Sequence, residues 1–436
     1  MVRLSRLIII ITILCITGFM GFVSTSDFYL GPIAIIDIPI ILLLFYFVDK
    51  IFGKGLTKSK LMKPVYFYLV LTTIVILSMP FRGAESLIGA LRVGRHFYIL
   101  LLAFVVVDNI CFEGSYYFIR RVVFIAGTYY SVLSILNYLF PGFVASIWQG
   151  IGTLDDIKGG VVRHVLKSND GLLFIHFAFI IKWMEILYLK RKNNISSLAQ
   201  LFFYAVAVFM MGYRAVMLCV FLSVLVVTAL NYRVLVKHQR VRSKSTVRFI
   251  SIAVVVLFFA NFFSGNTVFR TFSFIAEEIE GNVLYEESTF SGRLSRSEEY
   301  QLMILRESPL FGQGFVHKGS DMAEELGYEV DDDYSLSLYY FDFGYGTMAV
   351  MFGIVGSLFI IIALIRCIIH ALELVKRILH PLIAQLPAVL IAFLVCNYSF
   401  GVLEYTIGLV IIALSIGVAA GVKRLSEKNI TSMDNV

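Results

Sequence analysis

Apolar runs approaching twenty residues recur along this chain, and no other feature constrains its fold as tightly. LIIIITILCITGFMGFV (Leu7–Val23) and FISIAVVVLFFANFF (Phe249–Phe263) are two of them. A backbone crossing lipid must satisfy its own hydrogen bonds, so such runs fold as helices packed in a bundle. The composition agrees: 59% of residues are hydrophobic and 15% charged, against about 25% charged in soluble domains. The expected fold is an all-α integral membrane protein with about twelve spans, residues 1–436 forming a single polytopic domain. The span centres fall near Ile13, Ile40, Leu71, Leu102, Tyr130, Phe179, Val206, Leu222, Val255, Val355, Leu390 and Ile411. Leu7–Val23 follows Arg3 and Arg6 as a signal peptide would, but it lacks a small-x-small cleavage site, so a retained anchor is expected.

The charge distribution orients the bundle. The net charge is +7, yet the excess does not mark a nucleic-acid surface. Lys50, Lys54, Lys58, Lys60 and Lys63, then Arg120 and Arg121, then Lys190, Arg191 and Lys192 fall in alternate connections on one side. Arg233 to Arg248, Arg366 to Arg377 and Lys423 to Lys428 continue the series. By the positive-inside rule that side is cytoplasmic, and both termini lie there. The partner implied is a lipid bilayer. The five cysteines lie in or beside apolar runs, and their spacing suggests neither a disulfide framework nor a metal centre.

The opposite side carries two substantial loops, a shorter one over 141–170 and a longer, acidic one over 264–338 between the ninth and tenth spans. Within the longer loop, Ser295-Arg-Ser-Glu298 forms a capping box, and an amphipathic helix is expected from about Arg296 to Glu307. Pro309 stops it, and Gly312 and Gly314 permit tight turns.

Arginines stand out on this outer side: Arg82, Arg92, Arg95, Arg163, Arg214, Arg293, Arg296 and Arg306. A guanidinium presents a rigid donor fork that matches phosphate, so they are candidate anion-binding residues; pairing with the loop's own carboxylates is the alternative. Arg293 and Arg296 lie where the loop helix begins, an end that already favours anions. Arg214, in MGYRAVML, lies between two apolar runs and is expected to face a polar cavity rather than snorkel to headgroups. His317 and His164 can act as acid or base near neutral pH, or simply be solvated. Asp331, Asp332 and Asp333 repel one another; burial would raise one of their pKa values and suit it to act as a general base, whereas exposure would leave a solvated acidic face. Oxygen ligands of this kind can hold a divalent cation, but no His- or Cys-based spacing supports a metal site. Asp37 and His176 are expected to be helix–helix hydrogen-bond partners, and Lys182 with Glu185 a local pair.

SGRLSRSEEYQLMILRESPLFGQGF (Ser291–Phe315) resembles a segment of bacterial O-antigen polymerases and ligases: Ser-Gly-Arg, an aromatic several residues on, then Pro-Leu-Phe-Gly-x-Gly. GYRAVML resembles their Ser-Arg-Gly turn between two membrane helices, with Tyr213 and Ala215 replacing Ser and Gly. DDDYSLSLYYFDFGYGTMAVMFGIVG resembles the polar motif and span that follow. The resemblance implies a GT-C-like glycosyltransferase of the bacterial inner membrane, acting at its outer face on undecaprenyl-diphosphate-linked oligosaccharide, without a cofactor. A chain-length regulator and a flippase are the partners it implies. Carried over by motif, Arg214 and Arg293 grip the diphosphate. Arg163 matches by position only, and Arg296 and Arg306 are further candidates. Asp333-Tyr334 stands where the ligases have His-Asn, which favours a polymerase and leaves Asp332 or Asp333 as the base, with His317 the substitute. A ligase or a flippase-type transporter are the alternatives. Charges gathered at outer helix ends, with no internal repeat, disfavour transport.

Overall fold

The computed structural model describes residues 2–21, 29–30, 33–53, 55, 59–83, 85–140, 143–147, 152–158, 161–167, 171, 173–188, 195–210, 214–237, 308–317, 344–397, 401–403 and 405–433. Helices dominate them. In chain order these are α1 (Val2–Ile16), α2 (Gly18–Gly21), α3 (Asp37–Gly53), α4 (Lys63–Phe81), α5 (Leu87–Gly94), α6 (Leu102–Glu113) and α7 (Tyr117–Leu139). There follow α8 (Phe143–Ile147), α9 (Leu173–Tyr188), α10 (Ile195–Met210), α11 (Arg214–Lys237), α12 (Gly344–Arg377), α13 (Pro381–Cys396) and α14 (Thr406–Met433). Every span centre read from hydropathy except Val255 falls inside one of these helices, and Val255 lies outside the described residues.

Among the described residues, five helical stretches are long and apolar enough to cross a membrane: Lys60–Phe81, Leu87–Glu113, Tyr117–Leu139, Gly344–Arg377 and Thr406–Glu427. Their outward faces are apolar too. Ile88 is 80% exposed and Phe81 92%, a costly arrangement in water but an ordinary one against lipid. The protein is therefore an α-helical chain with the features of a membrane bundle.

At the centre lies α6, whose residues from Leu102 to Ile110 are all buried. It packs closely along α14 because α14 presents glycines there. A Cβ on Gly417 would lie 2.8 Å from the Ala103 carbonyl oxygen, and one on Gly421 would lie 3.0 Å from the Ile110 Cβ. The Gly417-xxx-Gly421 spacing is the small-residue pattern that lets helix backbones approach where lipid offers no hydrophobic drive. Gly127 of α7 plays the same part against Phe174 and Ala178 of α9.

The buried charged side chains inside the bundle are paired. Lys50, expected among the cytoplasmic loop lysines, is buried on α3 instead, its Nζ 2.6 Å from Asp108 Oδ2 on α6. Tyr46 donates to the same oxygen at 2.8 Å. A buried lysine is tolerated only when paired, and Asp108 provides the pair. Lys182 and Glu185 do form a local pair at 3.5 Å, joined by Arg120, whose Nη2 donates to Glu185 Oε2 at 2.9 Å.

Two short antiparallel ribbons depart from an all-helical chain. β1 (Tyr29–Leu30) pairs with β2 (Ile33–Ala34), and β3 (Gly152–Lys158) with β4 (Val161–Lys167). The second ribbon occupies the shorter loop, where hydropathy marks only a connection between spans.

Candidate functional site

The described part of the longer loop, residues 308–317, is built into the bundle. It contains Pro-Leu-Phe-Gly-Gln-Gly, and it meets α12 where that helix breaks. Gly353 adopts φ 71° and ψ 172°, which interrupts the hydrogen-bond ladder. In an unbroken helix the Ile354 and Val355 amides would donate to Val350 and Met351. Here Ile354 donates to the Pro309 carbonyl at 3.0 Å and Val355 to the Leu310 carbonyl at 3.3 Å. The Val350 carbonyl in turn accepts from the Gln313 amide at 2.8 Å. The motif's backbone thus satisfies groups that the break releases.

Glycine is required on both sides of this contact. A Cβ on Gly312 would lie 2.5 Å from the Gly353 nitrogen and the Val350 oxygen, and one on Gly353 would overlap the Leu310 carbonyl. Gly312 and Gly314 also hold φ values of 69° and 87°, which L side chains rarely adopt. The following Phe315 is fully buried, 5.6 Å from both the Phe97 and Phe352 ring centres. Phe97 and Phe352 are themselves 5.3 Å apart, so three rings anchor the motif.

Polar residues gather at the C-terminal end of α4 beside this anchor. Arg82 Nη2 donates to Ser308 Oγ at 3.0 Å and to the Gly312 carbonyl at 2.8 Å. That engages one nitrogen of an exposed guanidinium, leaving Nε and Nη1 directed to no other group among the described residues. Glu85 Oε2 accepts from the His317 amide at 3.1 Å, while Glu85 Oε1 accepts from the Ser86 amide at 2.9 Å. Ser86 caps α5, accepting from the Gly89 amide at 3.0 Å. One turn into α5 lies exposed Arg92. Arg95 forms an ion pair with Asp37 at 2.6 Å, fixing the start of α3. Chemically, the cluster presents the exposed Arg82 guanidinium and the half-buried Glu85 carboxylate, both fixed on the Ser308–His317 backbone. Such a set can bind an oxyanion and exchange a proton.

The sequence-read residues divide as follows. His317 belongs to this cluster. Arg214 is the first residue of α11, and Arg163 lies on β4 opposite Asp156, beside the His164–Asp155 pair. Arg293, Arg296, Arg306, Asp332, Asp333 and the expected helix over 296–307 lie outside the described residues. Glu85 is the residue that sequence reading misses. Its only signal is a position between the end of one span and the Ser86 cap of the next helix. No protein-family model matches this chain, and no curated protein matches it either.

Proposed function

We propose that the protein is a GT-C-like polysaccharide polymerase with about twelve spans, both termini cytoplasmic, in a bacterial inner membrane. It transfers a growing glycan from undecaprenyl diphosphate onto a new undecaprenyl-diphosphate-linked repeat unit at the outer face. Arg214, Arg293 and Arg163, with Arg296 and Arg306, neutralise the departing diphosphate, an electrostatic task of several kcal/mol. Asp332 or Asp333, or His317 in their place, takes the proton of the acceptor hydroxyl. No cofactor is needed, and a chain-length regulator and a flippase work beside it.

The observation that carries the reading is the seating of Pro309–Gly314 in the break of α12. A motif belonging to the resemblance is fastened at several points, and it delivers His317 to a cluster containing Arg82 and Glu85. The same break favours a second reading, because transporters bind substrate at discontinuous helices. In those sites the broken backbone is left for the ligand. Here the Ile354 and Val355 amides and the Val350 carbonyl are taken by the protein's own loop, so the polymerase stands first.

The test is the glycan profile of a deletion strain beside strains complemented with wild type, Arg214→Ala or Arg293→Ala. Deletion should collapse the ladder to core plus one repeat unit, and wild type alone should restore it. Complete polymer stranded on its lipid carrier would indicate a ligase instead, and single units trapped inside would indicate a flippase. Restoration by both variants would overturn the phosphate clamp.

A further inference from the structure

A second polar site lies at the opposite end of the bundle, independent of the outer cluster. Tyr117, Arg120, Arg121, Phe124, Ile125 and Tyr129 recur at helical spacing on α7 and line an open groove of about 590 Å³. The charged residues sit at the N-terminal end of α7, and the apolar ones follow along the helix. Phe124 packs face to face with Tyr204 of α10, their ring centres 6.2 Å apart, and the Thr128 and Tyr204 hydroxyls lie 2.9 Å from each other. The groove wall is therefore held by two helices. Ile125, 55% exposed, opens it outward.

Its charges do not balance. The Glu185 carboxylate receives Arg120 at 2.9 Å and Lys182 at 3.5 Å. Arg121 is exposed and makes no ion pair among the described residues. Among the described residues Arg120 and Lys182 thus share one carboxylate while Arg121 has none, and both arginines stand near the N-terminal end of α7, where the helix dipole already disfavours positive charge. An anion would relieve both effects. The aromatic and aliphatic residues beyond it ask for an apolar tail.

We propose that this groove binds one anionic phospholipid from the leaflet at the N-terminal end of α7. The phosphate lies between Arg120 and Arg121, with Tyr117 at headgroup level, and an acyl chain follows Phe124, Ile125 and Tyr129. That leaflet is the cytoplasmic one in the topology proposed above. A non-specific snorkelling arginine would accept any headgroup; a charged groove of defined shape selects one.

The test is native mass spectrometry of the full-length protein with equimolar phosphatidylglycerol and phosphatidylcholine of matched chains. One phosphatidylglycerol should be retained in preference to phosphatidylcholine. Arg121→Gln should lower its retention about tenfold, the loss of one charge-assisted contact, and Arg121→Lys should lower it less. Ile125→Trp should block the groove without changing the charge. Unchanged thermal unfolding confirms that the exposed substitutions leave the fold intact. Equal retention of both lipids, or retention indifferent to Arg121→Gln, would refute the site. Displacement of the lipid by an equimolar amount of glycerol 1-phosphate would assign the groove to free phosphates and also refute it.

Discussion

Gly314 and Gly83 separate two costs that are usually confounded. Both hold positive φ, 87° and 66°. A Cβ at Gly83 meets nothing within 4 Å, whereas one at Gly314 would overlap the Met79 sulfur. Gly83→Ala should therefore lose only the backbone preference, about 1–2 kcal/mol. Gly314→Ala should lose about 1–3 kcal/mol more through overpacking. Thermal unfolding in one detergent compares them, and equal losses would mean that the motif is not seated as described. His380 provides a pH-dependent counterpart. Its Nδ1 caps α13 by accepting from the Leu382 amide at 3.2 Å, and its ring meets Tyr116 edge-on at 5.0 Å. Burial pushes its pKa down from 6.5 to about 4. The folded state thus binds fewer protons than the unfolded state between those values. This contribution to stability is complete above pH 6.5 and declines as pH falls toward 4, by at most about 1.4 kcal/mol per pH unit. His380→Asn keeps a capping acceptor without a titrating ring. Subtracting its stability–pH curve from that of wild type should leave a slope confined to that window.

Hydropathy reads the long elements well because it senses length and apolarity, which is what a span requires. It does not find the break in α12. A glycine in an apolar run is compatible with an unbroken helix, and only the distant Pro309–Gln313 backbone makes the break tolerable at Gly353. The β3–β4 ribbon is more accessible: Gly159-Gly160 between two polar–apolar segments is a hairpin signal. Lys50 misleads for a simpler reason, since its partner Asp108 is 58 residues away. At the candidate site, the turn glycines and His317 are legible locally, whereas Glu85 acquires meaning only through a contact 232 residues along the chain. Helix packing yields its own prediction. Gly417→Leu should force α14 away from α6 and destabilise the bundle by about 1–3 kcal/mol or more. Ser426→Leu, farther along α14 and only half-buried, is the comparison for added apolar volume alone. A Gly417→Leu variant as stable as wild type would contradict the close α6–α14 contact.

For the whole molecule, the proposed topology puts both ends on one side. Reporters fused after Lys428 should be active only in cytoplasmic form, and a cysteine placed at Lys318 should react with an impermeant maleimide in intact spheroplasts. The reverse pattern would invert the bundle and move the outer cluster away from any external substrate. An outer location is what the central claim needs: the Ser308–His317 segment, anchored by its glycines and Phe315, supports chemistry on a lipid-linked diphosphate. The most direct measurement supplies purified, reconstituted protein with undecaprenyl-diphosphate-linked repeat units from its own source and follows product length and released undecaprenyl diphosphate. The account predicts a ladder of lengthening glycans, with one lipid diphosphate released per unit joined, and loss of both in Arg214→Ala. Repeat units that remain single while wild-type protein stays folded would contradict it.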